Sequence, residues 1–440
     1  VKRFSPALAA ILLLGALTRA RGQYVEDSID VGGSWVGSMA YNSREDVVYG
    51  ASETGRLVFA IDCATNRVIS RVPVQYPLNV VYDSLDNKAY VTVYNYETCD
   101  SVLVIDGSTH ERLRMIPVRG ATNLVWDRIF NRVYVSCDLQ WDVKVIDCRT
   151  DSVIATIRTG DGPLTMHINP RRRKLYVQNY DEGTIAVVDM TRNEVAGMVN
   201  TGYYQRSGCY DPYADRYWVG LGNRITVVDC ATDSVTATLP TGVDQWVMAL
   251  AADGFGRVMA CVYGADVLFA IDAHSCSTLS RTAVGRDPRV LAWNSDRSFL
   301  YVANGRSSSV TVLSGDGASV IRELPASASP FVFARSTATG RLYLGHLDSR
   351  WVYVIKDSVT GMAEGRAEPP VRSVGATVVR GVLDLPASGV EHQASSVLLD
   401  AAGRRVAELR PGRNDVGRLS PGVYFVRTAA EPVRRVVVVR

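Results

Sequence analysis

An all-β fold, closed into a propeller of four-stranded blades, is predicted by three features of the amino-acid sequence. A unit of roughly 42 residues recurs along most of the chain. Each unit reads as four short strands punctuated by Gly, Asn, Asp and Pro, with no helical periodicity. The first strand pattern, Tyr24 to Gly32, matches the fourth strand of the unit, while the last unit stops after its third strand at Val352 to Lys356.

The repeat is most legible in a β-branched run ending in Asp: Ile61-Asp62, Ile105-Asp106, Ile146-Asp147, Val188-Asp189, Val228-Asp229 and Ile271-Asp272, spaced 44, 41, 42, 40 and 43 residues apart. Two degenerate copies follow at Val312-Leu313-Ser314 and Val354-Ile355-Lys356. Each copy follows an aromatic or apolar strand, such as Ala89-Tyr90-Val91, Leu175-Tyr176-Val177 or Leu342-Tyr343-Leu344. One four-stranded sheet cannot cover both its faces, so the copies must pack on one another, and a closed ring leaves no open end. The count is eight blades, or seven if one degenerate copy is irregular. The Tyr24 to Gly32 strand is expected to complete the last blade as a clasp.

Residues 1–22 carry Lys2-Arg3, then an apolar stretch from Ala7 to Leu17, then small and polar residues. This is the pattern of a signal peptide, too short to span a bilayer as an anchor. The propeller is expected over 23–357, a Gly/Glu/Pro linker over 358–370 and a small immunoglobulin-like β-sandwich over 371–440. No transmembrane span is expected in the mature protein. The 48 basic and 45 acidic residues balance to +3, which gives no reason to expect a nucleic-acid partner. Eight cysteines are permitted to pair outside the cell, with unreadable connectivity, and none has the C-x-x-C spacing of a zinc or redox site.

The strands Lys174 to Asp181, Ser298 to Gly305 and Ser234 to Gly242 resemble the YVTN-repeat propellers of bacterial and archaeal cell-surface proteins. That resemblance implies the fold and no particular activity. At the C-terminus, Asp400 to Val406, Leu419-Ser420-Pro421-Gly422-Val423-Tyr424-Phe425-Val426-Arg427 and Val433 to Val439 resemble the sorting domains of type IX secretion substrates. This implies passage across an outer membrane, with the secretion machinery as a partner of the C-terminal domain.

Catalytic signatures are absent: neither H-E-x-x-H nor G-x-S-x-G occurs. The repeated aspartates precede Thr/Ser/Asn turns, where a carboxylate caps turn N–H groups, and a device present in every blade is expected to be scaffold. His167, on an inner strand, is the one histidine weighed as a base or ligand. Positions that vary on one face are the expected ligand site, since the loops entering the inner strands share that face with the loops between the second and third strands. Aligned copies place Trp35, Tyr76 and Tyr204 together, Trp246 and Phe331 one or two positions on, and Arg206 with Arg289. Tyr96, Trp141 and Tyr180 join them from the other loops. Such aromatics and arginines suit a sugar or a peptide. The expectation is a secreted or surface-displayed binding protein, with no cofactor and no metal, taking a protein or carbohydrate ligand. The alternatives are a lactonase- or lyase-like or cofactor-dependent redox propeller, and a surface-layer component.

Overall fold

The computed structural model describes residues 23–94, 100–242, 245–294 and 298–356, and parts of the chain from 377 to 438. The N-terminal 22 residues, Tyr96, Cys99 and the linker lie outside the described residues. Two compact units, Val1–Gly361 and Met362–Arg440, divide the chain.

The first unit is an eight-bladed propeller. Blade 1 is the antiparallel sheet Val36–Asn42, Val47–Ser52, Leu57–Asp62 and Arg67–Pro73, ordered from channel to rim as in sequence. Blades 2 to 7 repeat this order, with inner strands beginning at Pro77, Ala121, Pro163, Ser207, Val247 and Pro288. Blade 8 combines Pro330–Arg335, Leu342–His346 and Trp351–Lys356 with Tyr24–Asp30 as its outer strand. The clasp pairs Val25 with Ile355, Ile29 with Val352 and Asp30 with Trp351. Glu26 holds it further, receiving Arg341 and, at 3.2 Å, Lys356, and these partners keep its carboxyl below the usual carboxylate range.

What joins blade to blade is a device built on the second strand. Its third residue is Tyr49, Tyr90, Tyr134, Tyr176, Trp218, Met259, Tyr301 or Tyr343, and each of these is essentially fully buried. Burial of one such ring is worth on the order of 2 kcal/mol. Two residues earlier stands a base in six blades, Lys88, Arg132, Lys174, Arg216 and Arg257 at the start of the strand and Arg341 just before it. Base and phenol together reach the turn between the third and fourth strands of the next blade. Lys88 Nζ donates to the Cys148 carbonyl at 2.7 Å and to Asp151 at 2.9 Å, and Tyr90 Oη donates to Asp151 at 2.6 Å. Lys174 and Tyr176 donate likewise to Asp233, and Tyr343 to Asn66.

The accepting residues share a backbone state. Asn66, His110, Asp151, Asn193, Asp233 and Cys276 all have φ between 50° and 61°, the left-handed region that short polar side chains tolerate best. Burial pushes the Tyr90 and Tyr176 phenols far up, so they donate at any ordinary pH. Between blades 6 and 7 the device is absent, since Met259 faces Gly317, where an added Cβ would lie 3.2 Å from the methionine sulfur.

The repeated aspartates are turn caps. Asp106 accepts from Ser108 N, Ser108 Oγ and Thr109 N, and Asp272 from His274 N, Ser275 N and Ser275 Oγ. A second set, from Asn42, Asp83 and Asp127 to Asp211 and Asp253, closes the turns after the inner strands in the same way.

In the C-terminal unit the described strands form a five-stranded sheet and a two-stranded one. Ser396–Leu399 pairs antiparallel with Arg405–Leu409, as expected of a hairpin, and Gly422–Arg427 lies between Arg434–Val438 and Ser396–Leu399. Leu383, Leu398, Leu409, Val416, Tyr424 and Val426 form its core. Among the described residues the only helix is one 3-10 turn, Asp138–Gln140, and no helix is long and apolar enough to cross a membrane.

Two measurements test these contacts. Asp151→Ala takes the carboxylate from Lys88 and Tyr90 and leaves them the Cys148 carbonyl as a shared acceptor, and should lower unfolding free energy by about 1–3 kcal/mol, read from urea denaturation. His346 is fully buried, with Nδ1 donating to the Trp351 carbonyl at 2.7 Å and Nε2 accepting from Ser327 N at 3.2 Å. The neutral ring satisfies both contacts, whereas a proton on Nε2 would face the Ser327 N–H. Burial lowers its pKa to about 4. The unfolded chain therefore binds the proton first as pH falls. Stability should be fully present above about pH 6.5 and decline toward pH 4, by at most about 1.4 kcal/mol per pH unit for this group. Thermal scans of wild type and His346→Asn across that window should show a shallower pH dependence in the variant.

Candidate functional site

The loops from rim to channel end in a repeated backbone pattern. The residue before seven of the eight inner strands gives its carbonyl to the first N–H after the second strand, as Trp35 does to Glu53, Tyr76 to Tyr94, Gly120 to Asp138, Gly162 to Tyr180, Trp246 to Tyr263, Asp287 to Gly305 and Ser329 to Leu347. Most of these residues are left-handed: φ is 56° at Trp35, 41° at Tyr76, 72° at Gly120, 68° at Gly162, 61° at Asp287 and 54° at Ser329, with 70° at Tyr204 in blade 5. Where two blades place glycine, three place a bulky aromatic in a conformation that costs a side chain about 1–2 kcal/mol. Strain of this kind, held by surrounding structure, marks candidate functional positions.

Two residues further on, a β-bulge interrupts seven of the eight inner strands, as between Val36 and Ser38, Pro288 and Val290, and Pro330 and Val332. Bulges re-aim the residue they release, here at the channel mouth. Arg289 and Phe331 are bulge residues, and Arg206 precedes its strand at the equivalent place. This corrects the alignment made from sequence. Trp246 belongs with Trp35 and Tyr76 rather than beyond them, while Phe331 lies two positions on as expected, which is also the place of the arginines. Six residues, 241–246, separate Ser234–Pro240 from its inner strand, against three between Arg67–Pro73 and Pro77–Asp83, so counting by the period displaces Trp246.

Four of these side chains meet. The Arg206 guanidinium lies over the Trp246 ring at 4.7 Å and over the Tyr180 ring at 5.3 Å. Tyr204 meets Trp246 edge to face, with ring centroids 5.5 Å apart. Tyr203 and Tyr204 are 60% and 58% exposed, so they are not wedged into the core. Beneath them Gln205 is buried, and its amide donates to the Thr184 carbonyl, Thr201 Oγ1 and the Gly202 carbonyl. That network fixes the loop in advance of any ligand.

The remaining expected residues stand apart from this cluster. Arg289 is bound to the buried Asp287 at 2.6 Å, a structural pair, although it shares the bulge position of Arg206. Arg56 stacks on Tyr76 and donates to its hydroxyl at 3.1 Å. Trp35 is an exposed ring on blade 1, and Phe331 is half-buried. Trp141 follows the 3-10 turn at φ 60°, with Arg158 over its ring at 5.4 Å. Sequence reasoning passed over Tyr203, and also Tyr263, whose ring carries Arg306 at 5.4 Å. The doubled tyrosine in one loop was the available signal.

On the channel side a cavity of about 490 Å³ is lined by Met39, Val80, Val125, Trp126, Met166, His167 and neighbours, none of them a carboxylate. Gln178 Nε2 donates to Tyr217 Oη at 2.9 Å, which leaves the phenol proton for His167 Nδ1 at 3.0 Å. Burial lowers the His167 pKa to about 4. Among the described residues, seven cysteines are unpaired, and no group of three His, Cys, Asp or Glu side chains could hold a metal ion. Burial pushes the thiols of Cys63 and Cys230 up, to about 12 and about 11, while their carbonyls serve the blade contacts.

No family model matches the chain, and no curated protein matches it. Solved structures do. A Kuenenia stuttgartiensis hydrazine synthase chain aligns with a TM-score of 0.51 at 18% identity, over 65% of this chain and 96% of that one. The computationally designed Ika8 protein aligns with a TM-score of 0.59 at 13% identity, over 74% and 98%. At these identities the likeness is one of fold.

The left-handed aromatics carry a test. Tyr204→Gly removes an exposed ring and relieves its backbone strain, so unfolding free energy should stay within about 1 kcal/mol of wild type. A Gly placed in an ordinary strand position, as in Thr238→Gly, which pairs regularly with Thr226, should instead lower it by about 1 kcal/mol. Urea denaturation of both variants reads the contrast.

Proposed function

We propose that the chain is a non-enzymatic binding protein that acts outside the cell, with the loop face around Tyr204, Arg206 and Trp246 as its site for a protein or glycan ligand. The observation that carries this reading is Arg206 held between two aromatic rings on a loop that is itself pinned from below. Aromatics and arginine dominate binding energy at recognition surfaces, and a guanidinium already stacked between two rings has less freedom left to lose on contact. Delivery fits the same reading. The N-terminal segment has the composition of an export signal. The repeat strands resemble YVTN-repeat surface propellers, and the C-terminal strands, read as an immunoglobulin-like sandwich, resemble type IX sorting domains.

Titrating the purified protein against a panel of polysaccharides and cell-surface proteins should find a ligand whose affinity falls about tenfold or more in Trp246→Ala and Tyr204→Gly. Absence of any binding, together with turnover of a small molecule, would sink the proposal.

A further inference from the structure

The chain as a whole is nearly neutral, yet acids are concentrated on one sector of its loop face. On blades 2 to 4 the loops carry Asp100, Asp138, Asp161, Asp181 and Glu182 against Arg119. On blades 5 to 7 they carry Arg206, Arg286 and Arg306 beside Asp266 and Asp287, the second of these paired with Arg289. Most other prominent arginines of the propeller are committed to carboxylates: Arg172 to Asp215, Arg289 to Asp287, Arg341 to Glu26 and Arg350 to Asp30. Arg206 and Arg306 are different. Each is exposed, each lies on an aromatic ring, and neither side chain donates a hydrogen bond to the described residues. A guanidinium held flat on a ring keeps its planar fork of donors free for a carboxylate or sulfate.

We infer that the sector of blades 5 to 7 binds an acidic polysaccharide, with Arg206 receiving one carboxylate or sulfate and Tyr203, Tyr204 and Trp246 packing against the sugar rings. This rests on the reading of the face as a ligand site and gives that ligand its charge and class. Three observations support it. Two arginine-on-ring units, Arg206 with Trp246 and Arg306 with Tyr263, stand on one sector, which suits a polymer that repeats its anions, whereas a third exposed unit, Arg158 with Trp141, stands among the acids of blades 2 to 4. The acids of blades 2 to 4 repel such a chain and confine it to that sector. Finally, the site is made of loops and exposed ring faces, not of a free strand edge. It offers a sugar its stacking surface, while an extended peptide would find no ladder to join.

The test uses the full chain and calorimetric titration with polygalacturonate, with dextran as a neutral polymer and polyglutamate as an acidic peptide. Polygalacturonate should bind, dextran at least about tenfold more weakly, and the binding should weaken as salt rises from about 50 to about 500 mM. Arg206→Gln should lose about tenfold in affinity with an unchanged unfolding midpoint, Arg206→Lys should lose less, and Arg171→Gln on the opposite face should bind as wild type. Equal affinity for dextran, or no effect of Arg206→Gln, overturns the anionic assignment and leaves the ligand-face reading standing. Tighter binding of polyglutamate than of polygalacturonate overturns the polysaccharide class. If no polymer binds and the wider panel of glycans and proteins also fails, both readings fall.

Discussion

The contact on which the ring depends is a buried phenol and a strand-end base that together reach a left-handed turn in the next blade. A four-stranded sheet packed face to face on its neighbour would be held by apolar burial alone, which is non-directional and tolerates sliding. The hydrogen bonds from Lys88 and Tyr90 to Asp151, and from Lys174 and Tyr176 to Asp233, are directional and set the angle between blades. Their acceptors sit at φ values that Asp and Asn tolerate and larger side chains resist. The staple thus selects residue types at two places about 60 residues apart in sequence, as the 61-residue separation of Tyr90 and Asp151 shows.

The two faces of the ring use left-handed positions differently. On the face of the staples these positions hold Asn, Asp, His or Cys, which take up the contact from the preceding blade. On the loop face they hold, beside Gly120, Gly162, Asp287 and Ser329, the exposed rings of Trp35 and Tyr204 and the half-buried ring of Tyr76 under Arg56. The same backbone device therefore serves assembly on one face and display on the other, and only the second set varies from blade to blade without structural compensation.

Much of this was legible in the sequence because it repeats. The Asp62 to Asp272 series and the buried tyrosine column recur at nearly constant spacing, so the blades, their order and the clasp could be read directly. Eight blades rather than seven follow because the degenerate copies at Val312 and Val354 form strands as regular as the rest. The site was legible in part. That Arg206 and Arg289 share a position could be read, but that one is neutralised by Asp287 and the other rests on Trp246 depends on burial and loop path. Asp287 lies just two residues from Arg289 in sequence, a spacing that does not reveal whether a pair forms. Trp246 was misaligned because loop 241–246 differs in length, and period counting fails where the period changes.

The clasp has a consequence for the order of assembly. Its strand, Tyr24–Asp30, is the first propeller strand in the chain and pairs with Trp351–Lys356, the last. Every other strand finds its partners within its own unit, but this one must wait with an unpaired edge while the seven intervening blades form. Glu26, Asp27 and Asp30 put three negative charges on those seven residues. An acidic edge discourages pairing with the wrong sheet or with a second chain. Arg341, Arg350 and Lys356, all on the last blade, then neutralise two of the three acids as the ring closes. The same carboxylates act first as guards of an open edge and then as the lock of a closed one.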